Sequence, residues 1–173
     1  MHPPFGGLTF IVNVRKLSFY YILLLIIALG IVSLVSNYTK TLYYNSVAEN
    51  SLTEILVYQL TNYKKEKMFI PFMINVKDTG NIKEFEKLVK DKNVSVICNV
   101  SDSFNSFVIV AKHKKGNKIY GIDSDNFKIK YTDSYKGYRL KPEDCPKARD
   151  NIDDLKGWIY VGQLEPHKII FGY

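Results

Sequence analysis

Three histidines, two cysteines and one aspartate-rich turn are the residues of this 173-residue chain whose types suit them to chemistry. His2, His113 and His167 lie far apart in different kinds of segment, so their spacing suggests neither a zinc site nor a Ser/His/Asp set. His113 stands among Lys112, Lys114 and Lys115 and reads as part of a solvated hairpin tip, not as an acid–base group. The Asp123-x-Asp125-Asn126 cluster has the oxygen-rich character of a calcium loop. However, no Gly follows at the required place, and position twelve is Ser134 where an EF-hand has Glu. The cluster reads as a turn. These patterns predict no catalytic residue, no metal ligand set and no cofactor, and so a protein that is not an enzyme.

The remaining constellations suit binding. Lys112, Lys114, Lys115 and Lys118, with Lys128 and Lys130 on the next strand, would attract an anion such as DNA or a lipid headgroup. Lysines at hairpin tips and edge strands also guard a sheet against aggregation. With 24 Lys+Arg against 17 Asp+Glu and a net charge of +7, a local cluster is expected, so nucleic acid is the lesser expectation. Tyr43, Tyr44, Tyr58 and Tyr63 offer an aromatic assembly face, half of it expected in the core.

These residues must be held by elements, and the most decisive is LSFYYILLLIIALGIVSLV, Leu17–Val35, which carries no charge. At about 1.5 Å per residue it matches a hydrocarbon core of roughly 30 Å. It is apolar all round, longer than a signal-peptide core, and not followed by a small-x-small cleavage site. Tyr20, Tyr21 and Tyr38 sit where aromatic rings favour the headgroup layer. Arg15 and Lys16 precede the run and only Lys40 follows closely, so the positive-inside bias keeps the N-terminus cytoplasmic. The expected organisation is a cytoplasmic tail (1–16), a transmembrane helix (17–35) and a periplasmic α+β domain (36–173). In that oxidising compartment Cys98 and Cys145 are expected to form a disulfide, the alternative being two buried thiols.

Within the domain, Tyr44, Ala48, Leu52, Ile55, Leu56, Leu60 and Tyr63 recur at three and four, which predicts an amphipathic helix continuing from the membrane. MFIPFMINV contains Pro71 and lacks helical spacing, so an extended connection is expected there. Asn81 three residues before Glu84 resembles a capping box. It opens a short helix whose apolar face is Ile82, Phe85, Leu88 and Val89. From Val94 the period becomes two, and strands are expected at Val94–Val100, Phe107–Lys112, Lys118–Ile122 and Phe127–Tyr131. Lys114-Lys115-Gly116-Asn117 is expected to supply positive-φ residues for a hairpin turn. After a polar loop holding Cys145, Trp158–Val161 and Ile169–Phe171 flank Glu165-Pro166 and read as a last hairpin. The fold class is α+β: a long N-terminal helix, transmembrane then amphipathic, packed on a small antiparallel sheet with one extra short helix.

The order of these parts resembles type IV pilins and type II secretion pseudopilins. In both, a membrane helix runs on as the spine of a small domain, followed by a sheet and a late cysteine loop. The stretch FVIVAKHKKGNKIYGIDSDNFKIKY and the loop of Cys145 carry the likeness. The resemblance implies a non-enzymatic structural subunit of a pilus, type II secretion or DNA-uptake machine, with the bilayer and other envelope subunits as partners. It also implies a cysteine pair that staples the C-terminal region, corresponding to Cys98 with Cys145. The family's leader ends in Gly with Glu at the fifth mature position. Here Gly7 precedes Leu8-Thr9-Phe10-Ile11, and the fifth position is Val12. A permanently anchored scaffold or accessory protein of another trans-envelope complex, such as the flagellar motor, is the alternative.

Overall fold

The long apolar-then-amphipathic stretch forms one helix, α1 (Gly6–Glu66), in a computed structural model that describes residues 6–76, 85 and 87–163. The chain divides into two compact units, Met1–Lys40 and Thr41–Tyr173. In the first, every described side chain from Ser18 to Val35 is exposed, including Leu24, Leu25 and Ile26 at about 60%. A face so uniformly apolar and uncovered is what lipid, not water, would solvate.

In the second unit α1 buries Thr41, Asn45, Ala48, Leu52, Ile55 and Gln59, spaced by three and four along one face. The apolar members match the expected stripe, whereas its polar ends do not appear in it. The helix stops where Lys67 enters the left-handed region at φ 60°, its N–H donating to the Tyr63 carbonyl at 2.9 Å. Lys64 and Lys65 lie in the last turn, where the helix dipole favours cations.

The sheet is a six-stranded antiparallel meander: β1 (Phe72–Ile74), β2 (Val94–Val100), β3 (Phe107–His113), β4 (Lys118–Asp123), β5 (Lys128–Asp133) and β6 (Ile159–Gln163), in that spatial order. The segment expected as an extended connection is therefore an edge strand. Pro71, which has no N–H to donate, sits just before it. The short helix expected from Asn81 falls largely outside the described residues. Phe85 is helical and buried with Val89 against Tyr58 and Phe72. Beyond α1, a 3-10 turn, Pro142–Asp144, stands among the described residues where a full extra helix was expected. The Ile169–Phe171 strand, the Glu165-Pro166 turn, His167 and His2 also lie outside the described residues.

Both faces of the sheet are covered. One receives α1 and includes Val94, Val96, Phe107, Ile109 and Ile122. The other, with Ile97, Val108, Val110 and Ile119, is covered by Leu140, Cys145, Ala148 and Leu155. All of β3 is buried, so the period of two expected there marks one covered face where the structure covers both. The segment expected as a polar loop is thus a covering layer. Gly121 makes room for it, since a Cβ there would lie 2.9 Å from Leu155 Cδ1 and 3.0 Å from Trp158.

Candidate functional site

The end of the domain where α1 enters is organised by Asn45, which is 4% exposed. Its Nδ2 donates to Asn117 Oδ1 at 2.8 Å, and its Oδ1 accepts from the Asn117 N–H at 3.0 Å. The β3–β4 turn is thereby pinned to the helix. No residue of Lys114–Asn117 has positive φ, contrary to expectation. Gly116 is required for close approach instead: a Cβ would meet Asn45 Oδ1 at 2.5 Å. Asn45→Ala removes both bonds and strands the Asn117 N–H, so a loss of about 2–3 kcal/mol is expected in thermal unfolding. Asn45→Asp, which keeps the acceptor, should lose less.

His113 does not belong to a solvated tip. It is buried and stacked on Tyr44, with ring centroids 4.4 Å apart. Its Nδ1 accepts from the Lys115 N–H at 3.0 Å, which places the ring proton on Nε2, facing Asp91 Oδ2 at 3.1 Å. Burial lowers its pKa, countered in part by Asp91, so the contact is a hydrogen bond of neutral imidazole near pH 7. Lys112 is also buried, on the opposite face. Its Nζ donates to the carbonyls of Gly116 at 2.8 Å and His113 at 3.1 Å, and burial pushes its pKa down to about 8. It is a turn clamp, not part of an exposed basic surface. Lys118 lies over the Tyr131 ring at 3.5 Å. Lys114 and Lys115 are exposed, the latter 5.3 Å from the Tyr44 ring centre.

Of the tyrosines, Tyr58 and Tyr63 pack on the core through Phe72, Phe85 and Phe69, and Tyr44 covers His113. Tyr43, 65% exposed, is the member left at the surface.

At the opposite end the aspartates act as a latch. Asp123 is buried, and burial pushes its pKa up to about 6. It accepts from the N–H groups of Asp125 at 2.9 Å and Asp154 at 2.7 Å, while Asp125 accepts from the Ile152 N–H at 2.7 Å. The carboxylates serve backbone donors of the covering segment. Asn99 holds the same segment through the Cys145 and Pro146 carbonyls at 3.0 and 2.9 Å. Among the described residues, no three His, Cys, Asp or Glu side chains gather into a metal-holding group.

The expected Cys98–Cys145 bridge is not formed. Both cysteines are free and buried. Cys98 points to the α1 face, 3.2 Å from Gln59 Nε2, whereas Cys145 lies on the other face with Sγ 3.5 Å from the Val108 carbonyl. The sheet separates them. Burial raises both thiol pKa values, that of Cys145 to about 12, and raises Tyr120 to about 12. Between pH 9 and 12 the unfolded chain therefore releases protons that the folded one retains, so stability falls as pH rises. Tyr138, raised by burial and by its hydrogen bond to Asp144, acts in the same sense, and Lys112 works the other way between pH 8 and 10.5, one group against four. The expected result is a lower Tm at pH 10.5 than at pH 8, with most of the slope removed in Cys98→Ala/Cys145→Ala. A flat or rising profile would mean that the thiols are not buried free acids.

The polar signals that sequence reading missed are Asn45 and Gln59. Gln59 Nε2 donates to the Ile70 carbonyl, and Gln59 Oε1 accepts from the Ile70 N–H at 3.1 Å. Both fall in register with Ala48, Leu52 and Ile55, a phase that marks a buried amide. Fold and surfaces together define an α+β protein with, among the described residues, one helix long and apolar enough to cross a membrane near the N-terminus. No family model, curated protein or solved structure matches the chain.

Proposed function

We propose that this chain is a membrane-anchored, non-enzymatic structural subunit of a bacterial envelope-spanning assembly, pilin-like in its order of parts. The pilus, type II secretion and DNA-uptake machines are the class of assembly it suits. It holds its domain in the periplasm by a single pass through the inner membrane, with residues 1–16 cytoplasmic. The observation that carries this reading is α1 itself, whose first half is apolar and uncovered and whose second half is the domain's core stripe. The sites found in the domain are structural in character: a pinned turn, a carboxylate latch and amide clamps.

Two departures favour a second reading, a permanently anchored scaffold or accessory protein of another trans-envelope complex such as the flagellar motor. Val12 stands where the pilin pattern has Glu, and the cysteines do not staple the C-terminal region. Mass spectrometry of the membrane-extracted chain separates the two. An N-terminus at Leu8 supports the pilin-like reading, and an N-terminus at or next to Met1 supports the scaffold. Protease shaving of spheroplasts tests what they share: loss of the domain from residue 36 onward is expected, and full protection would overturn both.

A further inference from the structure

At the Tyr63 end, Asp123, Asp125, Asp150 and Asp154 gather around the β2–β3 turn and the covering segment, where Ser103 Oγ donates to Asp150 at 2.7 Å. The Asn45 end is mixed, with Asp91 facing His113 and Asp133 opposite Lys118 near Lys112, Lys114 and Lys115. There the pinned β3–β4 turn meets the loop after β5, with the Gly137 N–H donating to the Lys114 carbonyl at 2.7 Å and the Ser134 N–H to the Asn117 carbonyl at 2.8 Å.

Between turn and loop lies an open cavity of about 490 Å³ lined by Lys114, Tyr135, Gly137, Tyr138, Arg139 and Lys141. The carboxylates beside it are engaged. Asp144 accepts from the Tyr138 hydroxyl at 2.6 Å and the Lys141 N–H at 2.7 Å, and Glu143 lies 3.5 Å from Lys141 Nζ. Among the described residues, the side chains of Lys114, Lys136 and Arg139 have no hydrogen bond or ion pair. Tyr135, 66% exposed, stands beside them. Unpaired cations around a recess, with an exposed tyrosine at its rim, form the surface an anionic headgroup layer attracts.

We infer that this cavity, with exposed Lys136 between its lining residues Tyr135 and Gly137, binds the phosphate of an anionic phospholipid headgroup. The inference rests on the membrane-anchored reading and deepens it. Asn45, on which the turn is pinned, follows Val35 by ten residues, a reach of no more than about 35 Å even if fully extended. The turn that carries Lys114 is thus joined to the apolar run by a short stretch of chain. Arg139 presents a planar fork of donors matched to phosphate oxygens, and Lys114 adds a point charge.

The test uses the full chain in nanodiscs of phosphatidylcholine alone or with phosphatidylglycerol. Acetylation rates of individual lysines are read by mass spectrometry. Lys114 and Lys136 should react at least about fivefold more slowly in the anionic discs at low salt, and the difference should vanish in high salt because surface charge is screened. Lys67 and Lys147 should react equally in both. Arg139→Glu should restore most of the Lys114 rate. Equal Lys114 rates in both discs would overturn the inference. Glycerol phosphate added to phosphatidylcholine discs tests the soluble source, and equal protection there would overturn the lipid assignment. A chain that fails to enter discs counts against anchoring itself, whereas one that enters without protection counts only against this site.

Discussion

Replacing Leu25 and Ile26 together by arginine is expected to abolish membrane integration of the chain. Both lie mid-run, both are about 60% exposed, and among the described residues no neighbour covers them to solvate a charge there. At a helix centre each arginine costs about 2.5–3.5 kcal/mol, against about 0.3–0.6 gained per Leu, Ile, Val or Phe. Two therefore cancel what about a dozen apolar residues contribute. Snorkelling offers little relief, because the substituted positions are about as far from one end of the run as from the other. Alkaline carbonate extraction of membranes supplies the measurement. Wild type should remain in the pellet and the double variant should appear in the supernatant or be degraded. A double variant retained as firmly as wild type would mean that α1 is not held by lipid.

The second large effect concerns the core. Phe107, fully buried at the start of β3, packs edge-on against Phe69 with centroids 4.6 Å apart. Its removal leaves a cavity between α1 and the sheet that the flanking strands are too fixed by their ladders to fill. Phe107→Ala is expected to cost about 3–5 kcal/mol, enough to lower Tm by about 10–20 °C at this domain size. Tyr43→Ala is the matched control. Its ring is 65% exposed, so a stability change within about 0.5 kcal/mol is expected. If Tyr43→Ala leaves Tm unchanged but weakens co-purification of partners from membranes, Tyr43 marks the assembly face.

The strands β2 to β5 and the stripe Ala48-Leu52-Ile55-Leu56 were legible because alternation and three-four spacing state directly which side of an element is buried. The same logic misled at Lys112 and His113. Their neighbours in sequence are lysines, but their neighbours in space are a pair of turn carbonyls and the Tyr44 ring. The sulfur bridge failed for a related reason. Cys98 shares the phase of Val94 and Val96 and so faces α1. Nothing local to Cys145 states that its segment crosses to the other face of the sheet.

By itself the sequence determined the apolar run, the helix that carries it, the strand order of the central meander and the absence of a recognisable catalytic spacing. These are properties of backbone period and composition over a few turns or residues. Tertiary structure alone decided that Asn45 meets Asn117, 72 residues on, that Asp123 latches Asp154, 31 residues on, and that the segment from Leu140 to Leu155 is a second core layer. Such choices depend on which distant segments meet. The energy that selects them, burial of apolar surface with its buried donors and acceptors paired, is a property of the assembled domain and not of any stretch of chain.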